Sequence, residues 1–392
     1  MRLRHASPFS WNSWLRKSFG NALESGGVKN ESMHPAGPIR RVLVTGTSGN
    51  LGCRLAPLLE DYELISADLH PPPPGVRAGE FHRLDLSTPE GREALARLVL
   101  DSGAEAVLHL AFVVDQQRSG ILDRERMRQT NVEGTRRLLE AVAEANAAAG
   151  GAAGAVTRKG PCVRLVVYLS SVSAYGTGHS APLREDAPLA AHSLPYAIDK
   201  RETDLLCQQM YPRLGGAALC IFRPHIYAAA ATQNWLIDGV RGRASGRGWL
   251  ARLARRAGWH VPVLLPAGAD TSRPLQLVHT DDVARVLAWT LSHFRPGALE
   301  IFNLAGDGPL PLAECARRAG TPVIRIGSES SVRLLLRICY AFGLSAVPAD
   351  ALPYYLAPPI MDTSRLRARL AEDFEKIVRF TTPAALEDAL GR

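Results

Sequence analysis

A run of glycines directly behind a short strand-like segment constrains this chain more than any other feature. Arg41 to Thr45 reads as a β-strand, Gly46-Thr47-Ser48-Gly49-Asn50-Leu51-Gly52 follows without a break, and a helical pattern continues through Glu60. In that order the glycines can turn tightly and let backbone N–H groups approach a pyrophosphate at the partly positive end of a helix. Gly46, Ser48, Gly49, Asn50, Leu51 and Gly52 are therefore the first candidate cofactor contacts. Asp68 ends the second strand-like segment, 22 residues past Gly46. An acid there can accept hydrogen bonds from a ribose 2′-hydroxyl and repels a 2′-phosphate, which favours NAD over NADP. Asp85-Leu86, behind the third strand, are candidates for the adenine edge.

The same alternation continues along two thirds of the chain. Strands are expected at 63–67, 80–84, 106–110, 163–169 and 217–222, with helices over 131–146 and 196–209. Alternating strands and helices imply an α/β fold with a helix-covered parallel sheet. The expected class is a Rossmann-type doubly wound parallel sheet with a smaller C-terminal substrate lobe. Residues 1–38 read as a flexible N-terminal extension. Residues 39–230 form the NAD(P)-binding core, in which the Ala/Gly tract within 147–160 is expected to be a flexible insertion. Residues 231–392 are mainly substrate lobe, with core elements returning near 276–304.

Charge and composition narrow the function. The formal charge of +8 is local: residues 1–41 carry +5 and residues 241–256 carry +6, leaving the rest of the chain at −3. A mildly acidic body with one arginine run argues against nucleic acid as partner. Six scattered cysteines without metal-ligand spacing indicate neither a disulfide framework nor a metal site, and a reducing cytoplasm is the simplest location. The segment 331–347 is apolar but too short to span a bilayer. A peripheral membrane contact through 241–256 and 331–347 is the minor alternative.

Tyr196 and Lys200 stand one helical turn apart, so the ammonium can lie near the phenol and favour its ionised form. A phenol of ordinary pKa near ~10 needs such help to exchange protons at neutral pH.

Several weak signals in one order resemble the NAD-dependent epimerase/dehydratase branch of the extended short-chain dehydrogenases/reductases. These are the glycine turn, His109-Leu110-Ala111, Asn131-Val132-Glu133-Gly134-Thr135, Tyr168-Leu169-Ser170-Ser171 leading to Ala174-Tyr175-Gly176, Tyr196-x-x-x-Lys200, Arg223-Pro224, Val278 to Ala284, and Asp362 to Leu366. The resemblance covers roughly residues 40 to 370. It implies that Ser171, Tyr196 and Lys200 are the catalytic set: Tyr196 moves a proton to or from a substrate oxygen, Ser171 polarises that oxygen, and Lys200 holds the nicotinamide ribose. It adds Leu110, Ala111, Asn131 and Pro224, with Tyr196 and Lys200, to the cofactor contacts. It further implies a small-molecule substrate and is compatible with a homodimer. His279 and Asp282 read as cap and packing residues of a helix starting near Asp281.

Within that branch, Val172 and Ser173 stand where sugar dehydratases carry Asp-Glu, which disfavours dehydration. The runs Arg223 to Ala228 and Leu356 to Met361 lack the Asn and the phosphate clamp usual in nucleotide-sugar 4-epimerases. Apolar and aromatic residues after Trp235 suit a steroid- or isoprenoid-like alcohol, or simply a core. The expectation is an NAD-dependent epimerase or dehydrogenase acting on a secondary alcohol or ketone, with nucleotide sugars and apolar alcohols as competing substrates. A non-catalytic NAD-binding sensor or assembly protein on the same fold is the alternative from another class.

Overall fold

The computed structural model describes residues 37–114, 123–150, 163–230, 232 and 234–392. Most of the expected N-terminal extension and of the 147–160 insertion lies outside the described residues.

Strands β1 (Arg41–Thr45), β2 (Glu63–Asp68), β3 (Glu80–Arg83), β4 (Ala106–His109), β5 (Leu165–Leu169), β6 (Ala218–Pro224) and β7 (Leu299–Leu304) form one sheet in the order 7-6-5-4-1-2-3. Every pairing in it is parallel. All residues of β5 and β6 are buried, as expected for parallel strands covered on both faces. Helices α1 (Asn50–Leu55), α2 (Pro89–Asp101), α3 (Gly134–Gly150), α4 (Pro195–Met210), α5 (Trp249–Arg256), α6 (Thr280–His293) and α7 (Glu329–Ala341) surround this sheet or extend from it. Leu51 and Leu55 of α1 pack with Val283 and Leu287 of α6 on one face. Leu95 of α2, Leu138 of α3 and Leu206 of α4 pack on the other. The sheet is thus doubly wound, with its strand order reversing between β1 and β4, where such folds open a crevice.

One expectation changes. Residues 147–149, read as part of a loop, continue α3, because alanine is the best helix former and the tract needs no large side chains to extend one. In the range 276–304, α6 and β7 pack in the main core, and Leu277–His279 pairs in parallel with Ile226–Ala228 behind β6. The arginine run 241–256 ends in α5, and the Arg241 guanidinium is turned inward onto the carbonyls of Ala389 and Thr232. Leu236, Ile237, Leu265, Leu275, Leu312 and Leu386 form a separate core for this C-terminal part.

Candidate active site

The turn after β1 has the shape its glycines allow. Gly46 has φ +79°, and a Cβ there would lie 2.6 Å from the backbone nitrogen of Ala111. A Cβ on Gly52 would lie 2.5 Å from the Gly46 carbonyl oxygen, so α1 can approach the turn only through glycine. No side chain caps α1 at Gly49. A cavity of about 710 Å3 runs across the ends of β1, β2 and β4. Of the expected cofactor contacts, Gly46, Ser48, Gly49, Asn50, Asp68, Asp85, Leu86, Leu110 and Ala111 line it.

Asp68 faces the glycine turn: its carboxylate accepts from the Ser48 amide at 2.9 Å and from the His70 amide at 3.4 Å. It holds the turn and stands in the cavity wall at the same time. Asp85 is more committed. Burial works against its charge, but the Ser87 hydroxyl and amide and the Arg126 guanidinium outweigh it and hold the carboxyl below the usual carboxylate range. Pro71 and Pro73, between β2 and β3, add to the same wall.

Not every expected contact reaches the cavity. Leu51 and Gly52 sit behind the turn, Leu51 in the core. Pro224 is buried at the end of β6. Asn131 is fully buried in a π-helical turn, Gln129–Glu133, where every side-chain bond goes to protein: its oxygen accepts from the Val113 amide at 2.7 Å, and its nitrogen donates to the Val113 carbonyl at 3.1 Å and to Asp199 at 3.0 Å. These four lie outside the cavity wall, as do Tyr196 and Lys200, and Asn131 acts on it through Val113.

A second cavity, about 260 Å3, is lined by Tyr196 together with Val114, Met127, Leu194, Tyr340 and Pro348. Val114 lines both cavities. Burial pushes the Tyr196 phenol up to about 12, against the hydrogen-bonding influence of Ser171 beside it. Ser171 is buried just after β5 and caps the short turn Val172–Tyr175 by accepting from the Ser173 amide at 3.1 Å. Lys200 is buried one turn along α4; its ammonium donates to the Leu169 carbonyl at 2.5 Å. Burial pulls its pKa down to about 7, while Cys207, Asp204 and Asp199 work in the opposite direction.

Phe112 was not among the residues expected at the site. Its ring centre lies 3.4 Å from the Lys200 nitrogen, and its edge meets the Tyr196 ring with centroids 5.8 Å apart. Lys200 is therefore bound to a carbonyl and an aromatic face. Beneath this cluster, His109 bridges Thr45 (2.7 Å) and Thr135 (3.0 Å), and burial, with the charge of Lys200 adding to it, takes the imidazole down to about 3. Arg223 is buried in a bidentate pair with Asp204 at 2.8 and 3.0 Å and donates to the Tyr175 hydroxyl, so the Arg223-Pro224 match marks a structural brace. His279 caps α6 and stacks on Phe380, and Asp282 receives the amides of Arg379 and Phe380. Both are structural groups, with His279 as the cap of α6. Among the described residues no group of His, Cys, Asp and Glu could hold a metal ion.

Comparison with known proteins agrees with this architecture. The model of the "NAD dependent epimerase/dehydratase family" matches residues 42–305. The "Uncharacterized protein Rv0501" of Mycobacterium tuberculosis is 26% identical over 373 residues, covering 91% of this chain and 85% of that protein. The UDP-glucose 4-epimerase of Azospirillum brasilense is 27% identical over 290 residues, covering 68% and 73%. A solved structure of the dTDP-glucose 4,6-dehydratase DesIV of Streptomyces venezuelae, with NAD and DAU bound, superposes with TM-score 0.61 at 20% identity, covering 90% of this chain and 96% of that one. The glycine cradle that any Cβ would fill, with an acid at the tip of β2, fits the dinucleotide. The chain belongs to the NAD-dependent epimerase/dehydratase family, and its cofactor is NAD.

Proposed function

We propose that the chain is an NAD-dependent oxidoreductase or epimerase that transfers hydride and proton at a secondary alcohol or ketone, with Tyr196, Ser171 and Lys200 as its working residues. The observation that carries this reading is Tyr196, hydrogen-bonded by Ser171 behind it, in the wall of a cavity that shares Val114 with the dinucleotide cavity. Gly46, Ser48, Gly49 and Asn50 would hold the pyrophosphate, and Asp68 the adenosine ribose. NAD supplies the hydride acceptor and, when oxidised, a positive charge near the phenol.

The chain's own part is proton handling and orientation. A substrate hydroxyl on Tyr196 gives up its proton to the phenolate, and Ser171 donates a hydrogen bond to the same oxygen. A phenol at about 12 is a poor base at neutral pH, so the reading requires Lys200 to come forward and stabilise the phenolate. Phe112 now covers that ammonium, and its ring must turn aside for Lys200 to hold a ribose.

An apolar substrate is favoured over a nucleotide sugar by one observation: Val114, Met127, Leu194, Ala346, Pro348 and Ala349 make most of the wall beside Tyr196. Arg337 is the cation in that wall. The deciding test incubates NAD-loaded protein with nucleotide sugars and with hydrophobic secondary alcohols. Net NADH formation with an alcohol, abolished in Tyr196→Phe while NADH binding persists, supports the reading. Turnover retained in that variant defeats the proposed role of Tyr196, and no turnover with either panel favours the sensor alternative.

A further inference from the structure

The C-terminal part carries an exposed surface that the proposed chemistry does not use. On α7, Leu334, Ile338 and Phe342 follow at intervals of four residues, so they share one helix face. They are 58, 45 and 72% exposed. On α5, Trp249, Leu250 and Leu253 are exposed as well, while Ala251 and Ala254 face inward. The two stripes belong to one surface because the helix ends are tied together: the Gly248 amide donates to the Gly343 carbonyl at 2.7 Å, and a Cβ on Gly248 would lie 2.8 Å from the Phe342 carbonyl oxygen. Trp249 and Phe342 therefore stand on either side of one backbone joint.

The charge on this surface is mainly positive, the acids Glu329 and Asp350 lying against Arg333. Arg252 and Arg256 of α5 and Arg337 of α7 are exposed, and residues 241–261 contain no acid. At the far end of α5, Arg243, Arg255 and His260 line a cleft of about 460 Å3 with the exposed Trp259. A large apolar surface seldom stays bare in water, and tryptophan, phenylalanine and leucine beside arginine is the composition of helices that lie in the interface of a bilayer. A two-fold pairing of this face with a second copy would set arginine against arginine. A nucleic acid would use the arginines but leave Leu334 and Ile338 without a partner.

We infer that the joined face of α5 and α7 docks on the surface of an anionic lipid bilayer. Trp249, Leu253, Ile338 and Phe342 enter the headgroup boundary, and the arginines meet lipid phosphates. Tyr340 and Arg337 of the same α7 line the cavity beside Tyr196, so docking brings that cavity to the membrane.

The test is flotation of the full chain with vesicles of phosphatidylcholine alone or mixed with phosphatidylglycerol, at low and high salt. Flotation is expected only with the anionic vesicles and is weakened by salt, with a blue shift of tryptophan emission on binding. Leu253→Glu combined with Phe342→Glu should abolish flotation while the melting temperature and NADH binding stay at wild-type values. Arg252→Gln combined with Arg256→Gln should weaken partition by roughly twenty-fivefold, at roughly fivefold per charge removed. Absence of flotation with anionic vesicles at low salt overturns the inference, as does unchanged flotation of the Leu253/Phe342 variant. Sedimentation showing a dimer that the same variant splits would assign the face to a second copy, and salt-sensitive retention on RNA without flotation would assign it to a nucleic acid. Either result overturns the bilayer.

Discussion

The Lys200 ammonium lies 3.4 Å from the centre of the Phe112 ring. That contact offsets part of the cost of burying a charge, since a desolvated cation on an aromatic face gains about 2 kcal/mol. It also covers the group proposed to hold the nicotinamide ribose. Phe112→Ala should therefore tighten NADH binding severalfold in a fluorescence titration, while lowering the melting temperature by a few degrees. Unchanged or weaker NADH binding would show that the ring does not stand in the ribose's place.

Lys200 gives the cofactor-free protein a specific pH dependence. Its pKa in the folded chain is about 7, below the ordinary 10.5. Between those values the unfolded chain holds a proton that the folded chain has released, so stability rises with pH across the window and the penalty is complete below about 7. Lys200→Met removes the penalty and keeps the length of the side chain. It should be more stable than wild type near neutral pH, and the difference should shrink as pH approaches the ordinary lysine value. Denaturant melts along that range check it, and a constant difference would mean that the wild-type ammonium stays charged throughout.

Asp68 serves the turn and the cavity together, and its replacement should separate the two effects. Asp68→Ala removes the acceptor for the Ser48 amide, costing about 1 kcal/mol of stability. It also removes the carboxylate that would repel a 2′-phosphate, so NADH binding should weaken and the preference over NADPH should fall by about tenfold or more. Paired titrations with NADH and NADPH read the ratio. A ratio unchanged by the substitution would leave Asp68 as a turn residue alone.

What the sequence made legible follows from the range of the interactions involved. The glycine turn is local: φ at Gly46 and the closeness of Gly52 to Thr47 are decided within a few residues, and strand, turn and helix appear where the pattern put them. Strands β5 and β6 were readable because their buried segments are largely apolar runs. Asn131 was found by its motif, but its role depends on Val113 and on Asp199, which is 68 residues away in sequence. Phe112 carried no signal, because its meeting with Lys200 exists only once β4 and α4 lie side by side. In the same way the arginine run could be counted, yet nothing local showed that Arg241 turns inward while Arg252 and Arg256 stay outside.

Asn131 also yields the sharpest test of how the loop after β4 is held. Its amide closes both backbone groups of Val113 and donates to Asp199, all of them buried. Asn131→Ala leaves the Val113 N–H and C=O without partners, at about 1–3 kcal/mol each. Val113 and Val114 should then drift, weakening NADH binding at the cavity they line. Asn131→Asp keeps the shape but loses the donor and sets a second carboxylate against Asp199, so at about pH 8 it should be the less stable of the two variants. Protonation relieves that repulsion and restores a donor, so the aspartate variant should recover relative to alanine as pH falls toward about 5. Denaturant melts of both variants at the two pH values, with NADH titrations alongside, distinguish a hydrogen-bonded clamp from simple packing: the aspartate variant matching wild type at both would mean that volume alone is what position 131 requires.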